Sequence, residues 1–339
     1  MGRVAHDNRK GNKDMAELEK IAGQRLMVGF VGTELNADLR HLIENLNIGG
    51  IILFRRNLET PGQIERLCKD AQRYALKSGL APLFIAVDQE GGCVSRLPQP
   101  YSQFEGNPAM RGKADARRFA DTTGSELKGA GFNMNMAPVL DLAPAGGDSI
   151  MKERAFGGDP GRVAQLGLQV IEGLRKKRVI PVAKHFPGIG RTVLDSHKEL
   201  PRMAAGYDSL LGYDLVPFRK AIAQRVEAVM LSHILYERLD PNWPASLSRK
   251  IALDLLRSKL GFGGVVITDD LDMGAIDGRF DIRTVIDRLI ISEIDIALIC
   301  HSIEKMEAAF EQLKKSLSTP TAPARAAHER IMRLKKRYL

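Results

Sequence analysis

The sequence predicts an α/β fold, a single closed (β/α)8 barrel, from three observations. Eight short apolar runs recur along the 339 residues, segments of helical periodicity lie between them, and no glycine-rich dinucleotide-binding fingerprint accompanies them. Alternating strands and helices are typical of a parallel α/β architecture. Eight strands without that fingerprint favour a closed barrel over an open, doubly wound sheet. Barrels of this kind often use such a length as one domain.

The eight candidate strands are rich in aliphatic and β-branched residues. They are near-continuously apolar instead of alternating, which is typical of parallel strands covered on both faces. They cover residues 26–31, 50–54, 83–87, 132–136, 179–183, 228–231, 265–268 and 294–299.

Helical periodicity fills the intervening segments, as at Ile64, Leu67, Cys68, Ala71 and Ala75. No linker or shift in composition divides the chain. We therefore expect one barrel domain over residues 21–339. It follows an N-terminal extension over residues 1–20 and ends in a helical tail over about residues 320–339.

Composition indicates a soluble protein of the cytoplasm. Hydrophobic residues make up 44% and charged residues 27% of the chain, and no apolar run approaches the roughly 20 residues that cross a bilayer. Residues 1–15 lack the apolar core of a signal peptide. Cys68, Cys93 and Cys300 are far apart and in no metal-ligand spacing, which indicates free thiols in a reducing compartment.

The formal charge of +9 raises the question of nucleic acid. The basic residues are scattered, and the densest group, at residues 325–337, is typical of a solvated terminal helix. We expect neither nucleic acid nor a membrane as partner, and we expect a monomer. A basic surface is compatible with an anionic substrate, because it concentrates anions near a cleft.

Polar residues follow several of the predicted strands directly. Barrel active sites form at the carboxyl ends of the strands, so these residues are candidates for chemistry. Without a cysteine cluster or a His-x-His pair, they favour acid-base and nucleophilic chemistry over a zinc site, although a site built from Asp88, His185 and His197 stays open. The segments are 88–92, 138–141, 184–188, 232–233 and 268–270.

Residues 184–201, reading KHFPGIGRTVLDSHKELP, resemble glycoside hydrolase family 3, specifically its NagZ-type β-N-acetylglucosaminidases, or β-hexosaminidases. Their pattern K-H-F-P-G-H-G, followed by D-S-H and a proline, is reproduced except at one position. Flanking matches are GGIILFRRN at 49–57, AVDQEGG at 86–92, APVLDL at 137–142, ERAF at 153–156 and ITDDLDMGAI at 267–276. The resemblance covers roughly residues 22–305.

The resemblance implies catalytic roles for three residues. Asp269 would be the nucleophile that forms a glycosyl-enzyme intermediate, and His197 the general acid/base with Asp195 as its partner on a mobile loop. Neighbouring side chains of a strand point to opposite faces, so Asp269 and Asp270 share a site only if the strand has ended. The resemblance favours Asp269. An imidazole beside a carboxylate suits proton donation near neutral pH.

The resemblance further implies which residues bind the terminal sugar, while Asp141 is expected to have a structural role. Two positions depart from the family pattern: Ile189 replaces a second loop histidine, and Cys93 replaces an arginine. We interpret them as a change of substrate preference. The sugar-binding residues would be Asp88, Arg96, Arg154, Lys184 and His185.

The function implied is exo-hydrolysis of terminal β-linked N-acetylglucosamine with retention, on carbohydrate substrates from peptidoglycan recycling, without a metal or organic cofactor. The alternatives are a β-glucosidase or β-xylosidase of the same family and a catalytically impaired sugar-binding barrel. A further alternative is a Schiff-base enzyme acting through Lys184.

Overall fold

The computed structural model describes residues 17–196, 199–317 and 322–339, and its centre is a closed barrel of eight parallel strands. Each apolar run forms one barrel strand, which confirms the predicted fold class. The strands are β1 (Leu26–Val28), β2 (Gly50–Leu53), β3 (Phe84–Val87), β4 (Met134–Asn135), β5 (Ile180–Phe186), β6 (Ala228–Leu231), β7 (Val265–Asp270) and β8 (Ile296–Ile299).

The strands pair in sequence order, and β8 closes the barrel on β1 with Leu26 opposite Ala297. β5 and β7 run further than predicted, to Phe186 and Asp270, because their polar ends continue the ladder. The register between β7 and β8 shifts between Ile267 and Asp270. Both extensions carry candidate site residues.

Helices cover the outside of the barrel. Several begin at a side-chain cap, as where Thr60 accepts from the backbone of Gln63 ahead of Pro61. They are α1 (Ala37–Glu44), α2 (Pro61–Lys77), α3 (Lys113–Gly129), α4 (Pro160–Lys176), α5 (Tyr207–Gly212), α6 (Leu215–Ala223), a π-helix (Lys250–Lys259), α7 (Ile282–Ile291), α8 (Ile303–Leu317) and α9 (Ala322–Tyr338). Residues 17–23 are also helical.

Two pairs of short strands lie in the loops that follow barrel strands. Gln89–Gly91 pairs with Val94–Ser95, and Arg202–Met203 pairs with Leu235–Tyr236.

Two apolar clusters form the core. The larger lies between the outer faces of the strands and the helices. The smaller fills the barrel, because every second strand residue points inward, as with Val265 and Ile267 on β7. The barrel is therefore packed, and its chemistry is confined to the ends of the strands.

Helix α9 closes the amino-terminal end of the barrel. Its Ile331, Leu334 and Tyr338 belong to the interior cluster, and Lys335 donates to Gln24 Oε1 at 2.6 Å and to the Gly49 carbonyl at 2.8 Å. The expectation of a solvated terminal helix is therefore wrong for this face, whose apolar spacing was too modest to predict burial. No helix among the described residues is long and apolar enough to cross a membrane.

Candidate active site

A cavity of about 200 Å³ opens at the carboxyl ends of the barrel strands. It gathers side chains from five of the eight strands and from the loops that follow the strands. Five predicted sugar-binding residues and the predicted nucleophile all line it. The lining residues are Ile52, Phe54, Asp88, Val94, Arg96, Ile150, Arg154, Lys184, His185, Ile189, Ser196, Met230, Asp269, Asp270, Met273, Leu298, Cys300 and His301.

Strand alternation explains why three charged residues meet in this cavity. On each of three strands, the residue two positions earlier belongs to the interior cluster, so the charged side chain continues the same inward row. The pairs are Ala86 and Asp88 after β3, Val182 and Lys184 on β5, and Ile267 and Asp269 on β7.

A buried ion cluster forms one wall of the cavity. The ammonium of Lys184 lies 2.6 Å from Asp88 Oδ1 and 2.6 Å from Glu90 Oε1. Arg154 donates to both oxygens of Glu90, at 3.0 and 2.7 Å. Burial raises the pKa of Glu90, but Lys184 and Arg154 outweigh it and lower the pKa to about 2. Glu90 is therefore ionised, and it holds two cations in the cavity lining.

The same charges act on the lysine. Burial lowers the pKa of Lys184, whereas Asp88 and Glu90 raise it further, and the net direction is upward. Lys184 is therefore a permanent cation near neutral pH. A Schiff base needs a neutral amine, so this environment disfavours the alternative in which Lys184 acts as a nucleophile.

His185 is oriented by Asp141, which is completely buried. Asp141 Oδ2 lies 2.7 Å from His185 Nδ1 and accepts from the His185 backbone N–H at 3.1 Å. Nε2 of the ring, on the other side, lies 3.5 Å from Arg154 Nη2. Asp141 thus positions His185 without lining the cavity, in agreement with the structural role expected for it.

Asp269 and Asp270 both line the cavity, so the expectation that alternation separates them is not met. The register shift between Ile267 and Asp270 breaks the alternation at this point. Burial raises the pKa of Asp269, but His185, His233, the Asp270 N–H and Lys184 lower it below its ordinary value. Burial and the nearby Asp272 and Asp269 raise the pKa of Asp270 to about 7, against backbone hydrogen bonds that lower it.

These opposite shifts distinguish the two carboxyl groups chemically. An ionised carboxylate is a nucleophile, whereas a carboxyl group with a pKa near 7 is partly protonated at neutral pH. Backbone hydrogen bonds also fix the side chain of Asp270, because its Oδ1 accepts from the N–H groups of Asp272 and Cys300, each at 3.1 Å. Asp269 is the better suited of the two to attack a substrate.

Two residues of the loop after β5, Ile189 and Ser196, line the cavity. Ser196, which is buried, lines it, and its carbonyl accepts from Ala275 N at 3.1 Å in the loop after β7. The carbonyl of Asp195 accepts from Glu199 N at 3.2 Å. His197, the predicted acid/base, lies outside the described residues.

Two polar contacts attach this loop to the segment after β4. Ser149 Oγ donates to the Gly190 carbonyl at 2.6 Å, and Ile150 N donates to the Thr192 carbonyl at 3.1 Å. Beyond these anchors, Val193 and Leu194 are exposed. Hydrogen bonds therefore fix the loop at Gly190 and Thr192. The two apolar residues that precede Asp195 are exposed to solvent.

The two departures from the expected pattern occupy different environments. Ile189 is buried and lines the cavity, with its N–H bonded to Asp141 Oδ1 at 2.8 Å. Cys93 is exposed and lies outside the cavity lining. An effect on substrate preference is therefore better explained by Ile189.

Sequence reasoning missed Glu90 and His301. Glu90 is part of the AVDQEGG match, and a second acid directly after β3 was the available signal. His301 follows β8 just as the recognised residues follow their strands. It stacks on Phe54 with ring centroids 5.9 Å apart, and its Nδ1 lies 3.3 Å from Arg56 Nη1.

Within the described part of the chain, no three His, Cys, Asp or Glu side chains are grouped to hold a metal ion. The possible site of Asp88, His185 and His197 includes a residue outside that part. Cys68, Cys93 and Cys300 are all free thiols.

Comparison with known proteins extends the resemblance over most of the chain. Residues 13–334 match the Glycosyl hydrolase family 3 N terminal domain. A protein named beta-hexosaminidase from Pseudomonas aeruginosa is 35% identical over 302 residues, covering 87% of this chain and 88% of the relative. Another of the same name, from Thiobacillus denitrificans, is 36% identical over 318 residues, covering 90% and 85%.

Solved structures give the same picture. A family 3 β-N-acetylglucosaminidase from a Paenibacillus species superposes with a TM-score of 0.92 at 37% identity. The match covers 95% of this chain but only 62% of that protein, so this chain spans less than two thirds of its length. A β-N-acetylhexosaminidase from Beutenbergia cavernae gives a TM-score of 0.87 at 28% identity, covering 94% and 98%.

Proposed function

Because this chain belongs to glycosyl hydrolase family 3, we propose that it is a retaining exo-β-N-acetylglucosaminidase, or β-hexosaminidase, that removes terminal β-linked N-acetylglucosamine. The observation that carries the proposal is the position of Asp269. Its side chain lines the cavity at the end of β7, where burial raises its pKa but His185, His233, the Asp270 N–H and Lys184 lower it below its ordinary value. The relatives at 35 and 36% identity bear the name beta-hexosaminidase.

In the first step, Asp269 attacks the anomeric carbon, and the glycosidic oxygen leaves with a proton from His197. This produces a glycosyl-enzyme ester. In the second step, His197 takes a proton from water, which attacks the same carbon and releases Asp269. Two inversions at one carbon give net retention.

The role of His197 is supported by its neighbours and by residue type. Ser196, the residue directly before His197, lines the cavity and is bonded to the loop after β7. Asp195 is the proposed partner of the imidazole, fixing its tautomer and favouring the protonated ring that the leaving group needs.

The terminal sugar is held by the polar wall of the cavity. Asp88 accepts hydrogen bonds from sugar hydroxyls while it is bound to Lys184, which directs the orientation of both groups. Lys184, Arg154 and His185 donate to other sugar oxygens. Arg96 lines the same cavity, and its buried Nε has no hydrogen-bond partner among the described residues, which leaves this donor for a ligand.

The natural substrate that we propose is a peptidoglycan fragment, in which N-acetylglucosamine is linked to an anionic muramyl sugar. A formal charge of +9 favours the approach of such an anion. We place the reaction in the cytoplasm, with a monomeric enzyme and no metal or organic cofactor.

Turnover of aryl β-N-acetylglucosaminide and aryl β-glucoside tests this proposal in the wild type, Asp269→Ala and His197→Ala. We expect strong preference for the N-acetylglucosaminide and almost complete loss in Asp269→Ala. His197→Ala should lose less with an activated aryl leaving group than with a sugar leaving group, because an aryl oxide needs little protonation. Full activity in Asp269→Ala would refute the mechanism. Equal losses in His197→Ala on N-acetylglucosaminides with an aryl and with a sugar leaving group would refute the role of His197.

A further inference from the structure

A second cavity, of about 500 Å³, lies at the amino-terminal end of the barrel, away from the candidate active site. Its walls come from the starts of β6 and β7, from the loop at residues 261–264 and from helix α9. Four arginine side chains line it, together with one carboxylate. The arginines are Arg225, Arg330, Arg333 and Arg337, and the carboxylate is Glu227.

Glu227 compensates this group only in part, because the same carboxylate is also bound to Arg175 and Tyr338 outside the cavity lining. Glu227 accepts from Arg175 Nε at 2.8 Å and from the Tyr338 hydroxyl at 2.6 Å. Arg337 Nη2 lies 3.4 Å away from the same residue. Arg330 Nη2 is paired with Asp295 at 2.8 Å. Within the described residues, no acidic partner contacts Arg225 or Arg333, and both are exposed.

Buried Arg25 adds positive charge close to Arg330, which lines the cavity. Burial lowers the pKa of Arg25 to about 10, against the attraction of Asp295 and in the same direction as the nearby Arg330. One carboxylate, that of Asp295, is shared by Arg25, Arg257 and Arg330, so positive charge is in excess near the cavity and favours an anionic ligand.

Part of the cavity lining is apolar. Val226, Phe262 and Leu334 are buried side chains that line the same space. Arg257 Nη1 donates to the carbonyls of Phe262 and Gly264, at 3.4 and 3.1 Å, which fixes the loop that carries Phe262. An arginine rim above an apolar floor suits a ligand with a charged end and an apolar body.

We propose that this cavity binds a small organic phosphate, with the phosphate between Arg225 and Arg333 and the organic part on Phe262 and Leu334. One guanidinium group can donate two parallel hydrogen bonds to the oxygens of a phosphate. The two negative charges of a phosphate monoester match the two positive charges of Arg225 and Arg333, which have no acidic partner among the described residues. The volume is within the range of pockets for small organic ligands.

Residues 1–16 of this chain are a poor alternative occupant of the cavity, because their net charge is positive. Over residues 1–16 it contains Arg3, Arg9, Lys10 and Lys13 against Asp7 and Asp14. A net basic segment does not complement an arginine-lined cavity.

Phenyl phosphate is the probe, measured by calorimetry at fixed ionic strength on the full chain. Inorganic phosphate supplies the charge alone, and benzyl alcohol supplies the ring alone. We expect saturable binding of phenyl phosphate, with a Kd at least about tenfold lower than that of inorganic phosphate. Equal affinity for the two phosphates, or no saturable binding, would overturn the proposal.

Two double variants locate the binding. Arg225→Gln/Arg333→Gln removes the rim, whereas Arg117→Gln/Arg118→Gln removes the same charge from exposed positions on α3. The first should weaken phenyl phosphate binding by about tenfold or more, and the second should leave it unchanged. Both should hydrolyse an aryl glycoside at the wild-type rate. Binding that persists in the rim variant would place the ligand elsewhere and refute the site.

Discussion

The carboxylate of Asp141 lies 2.7 Å from Nδ1 of His185, and its other oxygen accepts from the Ile189 backbone at 2.8 Å. One buried side chain therefore fixes both a ring that enters the cavity and the start of the loop that carries Asp195 and His197. Because a carboxylate only accepts hydrogen bonds, the ring proton is held on Nδ1, and Nε2 is directed to the side of the ring that faces Arg154.

Asp141→Asn should impair the enzyme without removing a cavity residue. An amide NH2 would face one of the N–H donors, and the loss of a charge-assisted hydrogen bond costs roughly 1.5–3 kcal/mol. We expect kcat/KM on an aryl β-N-acetylglucosaminide to fall about tenfold to a hundredfold. Asp208→Asn, at an exposed position, is the matched control. Equal kcat/KM in both variants would show that Asp141 does not position the site.

Glu90→Gln should destabilise the fold. It leaves Lys184 and Arg154 without the carboxylate that both contact, at 2.6 and 2.7 Å. Removing one partner of a buried ion pair typically costs about 3–5 kcal/mol. Urea unfolding should therefore show a loss of this size, while Glu153→Gln, at an exposed neighbouring position, should change little. If the two variants unfold alike, the cluster does not stabilise the protein.

The lowered pKa of Lys335 should make the stability of the fold rise with pH between about 7 and 10. Burial lowers its pKa from 10.5 to about 7 in the fold. Between these values the unfolded chain binds more protons than the folded one, so the Lys335 contribution rises from about pH 7 towards pH 10. The difference in Tm between wild type and Lys335→Met should shift in favour of wild type over that range. A constant difference would mean that Lys335 keeps an ordinary pKa.

Asp270 should have the opposite dependence. Burial, with Asp272 and Asp269, raises its pKa from 3.8 to about 7 in the fold. The folded protein then binds more protons between these values, so stability falls as pH rises from about 4 to 7. Asp270→Asn removes the free-energy cost of ionising a buried carboxyl group and keeps an oxygen that accepts hydrogen bonds. Its Tm should exceed that of wild type by a few degrees at pH 8 and by less at pH 5. A gap that does not grow with pH would contradict the raised pKa.

The barrel was predictable from sequence because its strands are buried on both faces and therefore read as continuous apolar runs. Strand-end residues such as Asp88, Lys184 and Asp269 followed from the rule that barrel sites form at carboxyl ends. The assignment of Asp269 over Asp270 rested on the family resemblance. The structure adds a physical distinction, since the two carboxyl groups have opposite pKa shifts.

Other features depended on tertiary contacts that no local pattern contains. Alternation predicted that Asp269 and Asp270 face apart, but a register shift against β8 brings both to the cavity. The double pairing of Glu90 joins the segment after β3 to Lys184 on β5 and to Arg154. Burial of α9 depends on the open end of a barrel formed by residues far away in the chain.

The central claim is that Asp269 forms the glycosyl-enzyme bond, and trapping that bond tests it most directly. Incubation with a slow 5-fluoro-N-acetylglucosaminyl fluoride should add the mass of one sugar residue to the protein. Peptide mapping should then place it on Asp269, with labelling retained in Asp270→Asn and lost in Asp269→Asn. A sugar attached to Asp270, or no covalent adduct during measurable turnover, would contradict the account.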